Sequence, residues 1–220
     1  MSFTISFKDM KEIKSDFPMT AREVLTRTDF PARERVVACR VNRVQRPLSW
    51  EIDMDSRLEF ITYDTIEGSE VYLRTISFML TPAATRACGI RLHLRQSMNY
   101  SYYDDSPDGP VTEKQRKAIL TEMRRMVKDG VNLVREELSL DKARAIMSCQ
   151  GYLDKERLLR WTNRDPVVLY RCEGIYDFFG GALADNAAIV PVFDLHLYKG
   201  GIFISGPSFS DPTKVQTFKT

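Results

Sequence analysis

Phe3, Ile5 and Phe7 alternate with Thr4 and Ser6, which is the period of a half-buried strand, and this opening predicts a first hairpin. Past Pro18, Thr20 is placed to cap a short helix over AREVLTR, because its hydroxyl can accept from the free N–H groups of a first turn. Arg35 to Val41 (RVVACRV) is a β-branched run followed by a turn near Asn42, and Leu58, Phe60 and Ile61 predict a closing strand. Residues 1–63 therefore read as one unit of hairpin, helix, strand and strand.

From residue 64 the period becomes helical. Val71, Phe78, Met79, Ala83, Ala84 and Ala87 recur at helix spacing, Gly89 supplies a left-handed stop, and Pro82 predicts a kink. Ile90, Leu92 and Leu94 alternate with Arg91, His93 and Arg95, predicting a strand with one buried and one basic face. NYSYYDDSPDGP reads as a turn. The clearest helix begins at Thr112, where T-x-x-Q makes a capping box ahead of the stripe Ile119, Leu120, Met123, Met126 and Val127, and Gly130 ends it. Val131 to Leu138 predicts a strand, Ser139 caps a helix carrying Ala143, Ile146 and Met147, and DKERLLRW (154–161) predicts another. The remainder (PVVLYRC, GIYDFF, AIVPVFDLHLY, GGIFISGP) is strand-rich, so the fold class expected is α+β.

With 43% hydrophobic residues in 220, the chain can bury a core. Its 32 basic and 30 acidic residues leave +2, so no whole-molecule field drives it toward nucleic acid or an anionic membrane. Four cysteines without a CxxC pair suit buried thiols in a reducing compartment. No run has the length of a signal peptide core or a bilayer span, so the expected location is the cytoplasm, with no membrane partner.

The chemistry-bearing residues exclude more than they suggest. His93 and His196 are the two histidines, and neither stands at metal-ligand spacing from a cysteine, so no metal is expected. GPSFSDPTK (206–214) has the look of a phosphate-binding loop and fails on mechanism. Asp211 and Pro212 occupy the places of the second glycine and the lysine, which adds a negative charge and removes an N–H.

The order of segments resembles two joined modules. VVACRVNRVQRPLSWEIDMDSRLEFITYD is similar to a TGS domain, the β-grasp module at the start of threonyl-tRNA synthetase. EGSEVYLRTISFML, the Tyr102-Tyr103-Asp104 turn, TEKQRKAILTEMRRMVKDG, VREELSLDKARAI and VVLYRCEGIYDFFGGAL are similar to that enzyme's second additional domain, which edits mischarged tRNA. The resemblance implies a β-grasp domain over 1–63, a degenerate editing-like domain over 64–205 and a linker over 206–220. The editing domain's H-x-x-x-H and C-x-x-x-H pairs align with Arg74, Phe78, Phe179 and Leu183. Arginine stays protonated, and phenylalanine and leucine offer no lone pair, so the resemblance implies no metal, no activated water and no catalytic residue.

The histidine-free pattern resembles most closely bacterial uridine kinase-like proteins, in which the same two modules precede a P-loop kinase domain. Their Y-D-Y-F-x-G-P-L motif is similar to Tyr176 through Leu183, with Ala182 in place of proline. This resemblance implies a non-catalytic binding or regulatory region without a cofactor of its own. Its partner would be a C-terminal kinase domain that uses ATP and Mg. The cleft would be lined by Tyr103, Arg171, Tyr176 and Asp177, groups able to stack on a base and bond a ribose, with Arg74 paired to Asp177. Two alternatives stand beside it. One is a tRNA-binding module using Arg33, Arg35, Arg40, Arg43 and Arg46; the other is a trans-editing deacylase working through Asp177 and water.

Overall fold

The computed structural model describes residues 2–98, 101–208, 211 and 213–216. The first part of the chain folds as β1 (Phe3–Ser6), β2 (Ile13–Ser15), β3 (Met19–Thr20), α1 (Ala21–Arg27), β4 (Val36–Val41), β5 (Val44–Arg46), β6 (Glu51–Ile52) and β7 (Ser56–Thr62). The expected hairpin is β1 with β2, and β1 also pairs parallel to β7, giving a five-stranded sheet in the order β2-β1-β7-β4-β5. Thr20 caps α1 reciprocally. Its hydroxyl accepts from the Glu23 N–H, and the Glu23 carboxylate accepts from the Thr20 N–H at 2.7 Å. Val24 and Leu25 of α1 pack with Ile5, Val36 and Leu58, while β4 is buried on both faces. Its residues Val37 and Ala38, with Ile61 of β7, join the core around the next helix.

That helix, α2 (Ile66–Cys88), is capped at its start by Thr65 and at its end by Gly89 in the left-handed conformation. Val71, Tyr72, Ile76, Phe78, Met79 and Ala83 are all buried, so apolar residues surround its axis and it forms the centre of the molecule. Pro82 does not interrupt it, because packing on every side outweighs one lost backbone bond. The chain then gives β8 (His93–Met98), β9 (Ser101–Asp105), α3 (Glu113–Lys128), β10 (Val134–Leu138), α4 (Leu140–Cys149), α5 (Leu153–Leu159), β11 (Val167–Cys172), β12 (Ile175–Asp177), β13 (Asp194–Tyr198) and β14 (Gly201–Ser205). Two antiparallel sheets result, β13-β14-β9-β8 and β10-β11-β12. The whole is a mixed α+β fold. Thr112, Ser139 and Gly130 play the capping and stop roles expected of them.

Two expectations need correction. Residues 101–105 are a strand, β9, in the interior of the four-stranded sheet; Ser106–Gly109 form a turn, and Asn99 and Tyr100 lie outside the described residues. The β preference of Tyr102 and Tyr103 prevails over the turn-forming aspartates beside them. The alternation over 90–95 holds at Ile90 and at Leu92, both in the core around α2, and fails at Leu94. Leu94 is 38% exposed, whereas the His93 ring packs 5.1 Å from Tyr152. β8 begins only at His93, lies at the sheet edge and carries a register shift between Leu94 and Gln96.

Of the expected linker, residues 206–208, 211 and 213–216 are described and the rest lie outside the described residues. Its described part doubles back, with a bridge between Pro207 and Val215 and the Gln216 N–H donating to Gly206 O at 2.8 Å. No helix among the described residues is long and apolar enough to cross a membrane.

Candidate functional site

The four positions aligned with the editing domain's metal site do come together in space. Arg74 and Phe78 stand one turn apart on α2, and the segment following β12 brings Phe179 and Leu183 against them. The Phe78 and Phe179 rings meet edge to face at 5.9 Å, Phe78 lies 6.3 Å from Tyr170, and Leu183 is fully buried. The backbone of this segment is held at almost every residue. Tyr170 OH donates to Gly181 O at 3.1 Å and accepts from the Leu183 N–H at 3.3 Å. The Ala182 N–H donates to Gln45 Oε1 at 2.8 Å, and the Ala184 N–H donates to Thr75 Oγ1 at 2.9 Å. Arg74 donates from Nε to Ala182 O at 3.3 Å and from Nη2 to Gln45 Oε1 at 3.2 Å. These positions form a packed plug. Among the described residues no group of three or more His, Cys, Asp or Glu side chains is arranged to hold a metal.

The four residues expected to line a cleft do not converge. Arg171 and Tyr176 face one another across β11 and β12, and both reach Glu136: Arg171 Nε at 2.6 Å and Tyr176 OH at 3.3 Å. Asp177 is opposite Tyr170 in the same register, so it points to the other face of the sheet from Arg171 and Tyr176. Tyr103 is on β9, its ring 5.4 Å from Phe203 and its hydroxyl donating to Lys199 O at 3.3 Å. Neighbouring residues in a strand point to opposite faces, so placing Tyr176 and Asp177 together from sequence adjacency could not succeed in a strand.

Asp177 instead meets Lys155. Lys155 Nζ stands 2.6 Å from Asp177 Oδ2, and Asp177 Oδ1 accepts from the Phe178 N–H at 2.8 Å. This corrects the expected Arg74 partner: Arg74 is taken up by the plug and by Glu70 at 3.5 Å. Two devices position the pair. Gln150, at the end of α4, clamps the Tyr176 backbone from both sides, donating to its carbonyl at 2.8 Å and accepting from its N–H at 2.7 Å. Tyr152, 2% exposed, lies beneath the Lys155 ammonium at 4.5 Å from its ring centre.

A second carboxylate, Asp104, lies within electrostatic reach of both. It is 2% exposed, and its Oδ2 has no hydrogen-bond partner among the described residues. Its pKa is raised to about 7, chiefly by burial, with Lys155 opposing the rise and Asp177 and Asp105 adding to it. Sequence reasoning missed Asp104 and Lys155. The signal for Asp104 was its place in an alternating run beginning Ser101-Tyr102-Tyr103; for Lys155 it was the inner stripe Tyr152, Lys155, Glu156 and Leu159 at helical spacing.

The arginines considered for RNA are largely engaged. Arg33 donates to Thr28 O, Arg35 pairs with Asp64 at 3.3 Å, and Arg40 pairs with Glu59 and Glu67. Arg46 lies 3.7 Å above the Trp50 ring, with Arg135 5.5 Å from the same ring, and Arg43 occupies the left-handed turn after β4. A groove of about 810 Å³ separates α1 and residues 33–36 from residues 132–135 and 185–189, and the ion pair of Arg22 with Asp185 is in its wall.

No family model matches the chain. Threonine–tRNA ligase of Thermotoga neapolitana is 29% identical over 167 residues, which is 74% of this chain and 26% of that protein. The Thermotoga maritima ligase is 26% identical over 200 residues, 89% of this chain and 30% of its own length. The ligase of Lactobacillus acidophilus is 25% identical over 228 aligned residues, spanning the whole of this chain and 34% of its own. The chain thus spans about a third or less of the length of these relatives, and it carries a threonyl-tRNA synthetase-like region.

Proposed function

We propose that this chain is a tRNA synthetase-related binding module that holds a ribonucleoside, the terminal one of an RNA, and does not cleave an ester. One contrast carries the reading. The place of the editing metal is a plug of Phe78, Phe179 and Leu183, while the neighbouring Lys155–Asp177 pair remains polar and intact. Hydrolysis needs a base that reaches a substrate water. Asp104 has a suitable pKa, but it is walled into the sheet at 2% exposure. Asp177 is itself 4% exposed, its oxygens fixed by Lys155 and the Phe178 N–H, so it reaches no substrate water either, and the ligase relatives support binding as the reading that is left.

A thermal-shift titration with adenosine, uridine, threonine and a threonine tRNA tests the reading, because a ligand selective for the folded state raises its apparent stability. A saturable shift with a nucleoside or tRNA is expected. A chain that none of them moves is not such a module, and accelerated deacylation of Ser-charged tRNA would replace binding by catalysis. A second reading, the β-grasp and degenerate editing region preceding a uridine kinase domain that uses ATP and Mg, is favoured by the histidine-free positions Arg74, Phe78, Phe179 and Leu183. The topology β2-β1-β7-β4-β5, with β1 parallel to β7, supports the β-grasp part of it. The ligase relatives favour the RNA reading. Uridine phosphorylation by a longer chain containing this region decides between them.

A further inference from the structure

Helix α5 presents two unlike faces. Tyr152, Glu156 and Leu159 are buried, and Lys155 turns inward to Asp177. The opposite face should be polar if it only meets water. It carries Leu153, 56% exposed, Leu158, 59% exposed, and Trp161, 86% exposed. The helix is prolonged by three-residue turns, Arg160 N–H to Arg157 O, Trp161 N–H to Leu158 O and Thr162 N–H to Leu159 O, whose i, i+3 geometry sets Trp161 over Leu158, with Arg157 next to Leu158 in the chain. The acids nearby are committed elsewhere: Asp154 to His93 at 3.3 Å, Glu156 to Arg144 and Arg160, and Asp165 to the Leu140 N–H at 3.3 Å. Arg157 and Arg164 have no ion pair among the described residues.

We propose that Trp161, with Arg157, Arg164 and Leu158, forms a platform for single-stranded RNA. A base stacks on the indole, and the two guanidinium groups meet the phosphates on either side of it. An exposed ring flanked along the chain by uncompensated cations matches a strand whose bases are apolar on their faces and whose backbone is anionic. The proposal rests on the reading of the chain as an RNA-binding module for its direction. The helix that turns Lys155 inward to Asp177 presents the platform on its opposite face.

Fluorescence anisotropy of a fluorescein-labelled single-stranded RNA with the full chain tests it. Trp161→Ala should weaken binding on the order of ten-fold, Trp161→Phe should retain most of the affinity, and neither should lower the melting temperature, since the ring is exposed. Arg157→Gln with Arg164→Gln should flatten the dependence of log affinity on log salt by about 1.4, two phosphate contacts at about 0.7 each. Absence of RNA binding by the unaltered chain, or equal binding by Trp161→Ala, overturns the platform. So does sedimentation showing a self-association that Trp161→Ala abolishes, which would make a second copy the occupant. Adenosine titration separates the two readings. An adenosine shift with RNA binding indifferent to Trp161 removes the platform and leaves the nucleoside-binding reading. RNA binding that depends on Trp161 without any nucleoside shift does the reverse.

Discussion

Lys155 Nζ and Asp177 Oδ2 are 2.6 Å apart, joining α5 to the last residue of β12 across 22 positions of sequence. Their side chains are 16% and 6% exposed, so neither charge is well solvated if the other is removed. Breaking a buried pair from one side costs about 3–5 kcal/mol, whereas replacing both partners with apolar groups of similar size is often neutral. Lys155→Met should therefore lower the urea midpoint sharply, and Lys155→Met with Asp177→Leu should recover much of the loss. A Lys155→Met chain with an unchanged midpoint would show that the pair is not a structural tie.

Asp104 makes stability depend on pH in a defined direction. Its folded pKa of about 7 is above the ordinary carboxylate value, so between the two the folded chain binds more protons than the unfolded one. This contribution is complete below about pH 4 and is lost as pH rises toward and through about 7. Its ceiling is on the order of 4 kcal/mol, three pKa units at about 1.4 each. Asp104→Asn, which cannot ionise, should flatten the fall in urea midpoint between about pH 5 and pH 8. An unchanged slope would assign the fall to other groups.

Local chemistry made much of this fold legible. The caps at Thr20, Thr112 and Ser139 each rest on a side chain within four residues and the Gly89 and Gly130 stops on a left-handed backbone, and each is where the sequence places it. Contacts across the chain were not legible in the same way. The editing-site positions could be aligned, but not the way Tyr170, Gln45 and Thr75 staple the 181–184 backbone, because those partners come from three separate elements. The site was misread for a related reason. Tyr176 and Asp177 are adjacent in the motif and opposed in the strand, while Asp104 and Lys155 joined Asp177 only through tertiary packing.

Gly181 is required by its backbone and by its neighbour. Its φ is +132°, which side chains on an L residue rarely permit, and a Cβ there would stand 3.0 Å from the Arg74 guanidinium carbon. Gly181→Ala should cost about 1–3 kcal/mol in urea unfolding. Arg74→Ala in the same background relieves the contact but not the backbone strain, so it should recover only part of the loss. Full recovery would mean that the clash, and not φ, sets the requirement.

Gln45 joins the first sheet to the plug. Its Oε1 accepts from the Ala182 N–H at 2.8 Å and from Arg74 Nη2 at 3.2 Å, and its Nε2 donates to Glu67 Oε1 at 2.9 Å. Glu67 is in turn paired with Arg40 of β4, so one amide side chain connects β5, α2 and the 180–184 segment. Gln45→Met keeps the volume and removes every one of these bonds, leaving the Ala182 N–H without a partner; leaving a buried donor unsatisfied costs about 1–3 kcal/mol. Because Arg74 donates to Gln45 Oε1, their substitutions should not add. In a double-mutant cycle, Gln45→Met and Arg74→Met together should cost less than the sum of the two by about 0.5 kcal/mol or more. Strict additivity would mean that Arg74 is held by Ala182 O and Glu70 alone, and that the first sheet and the plug are not coupled through this side chain.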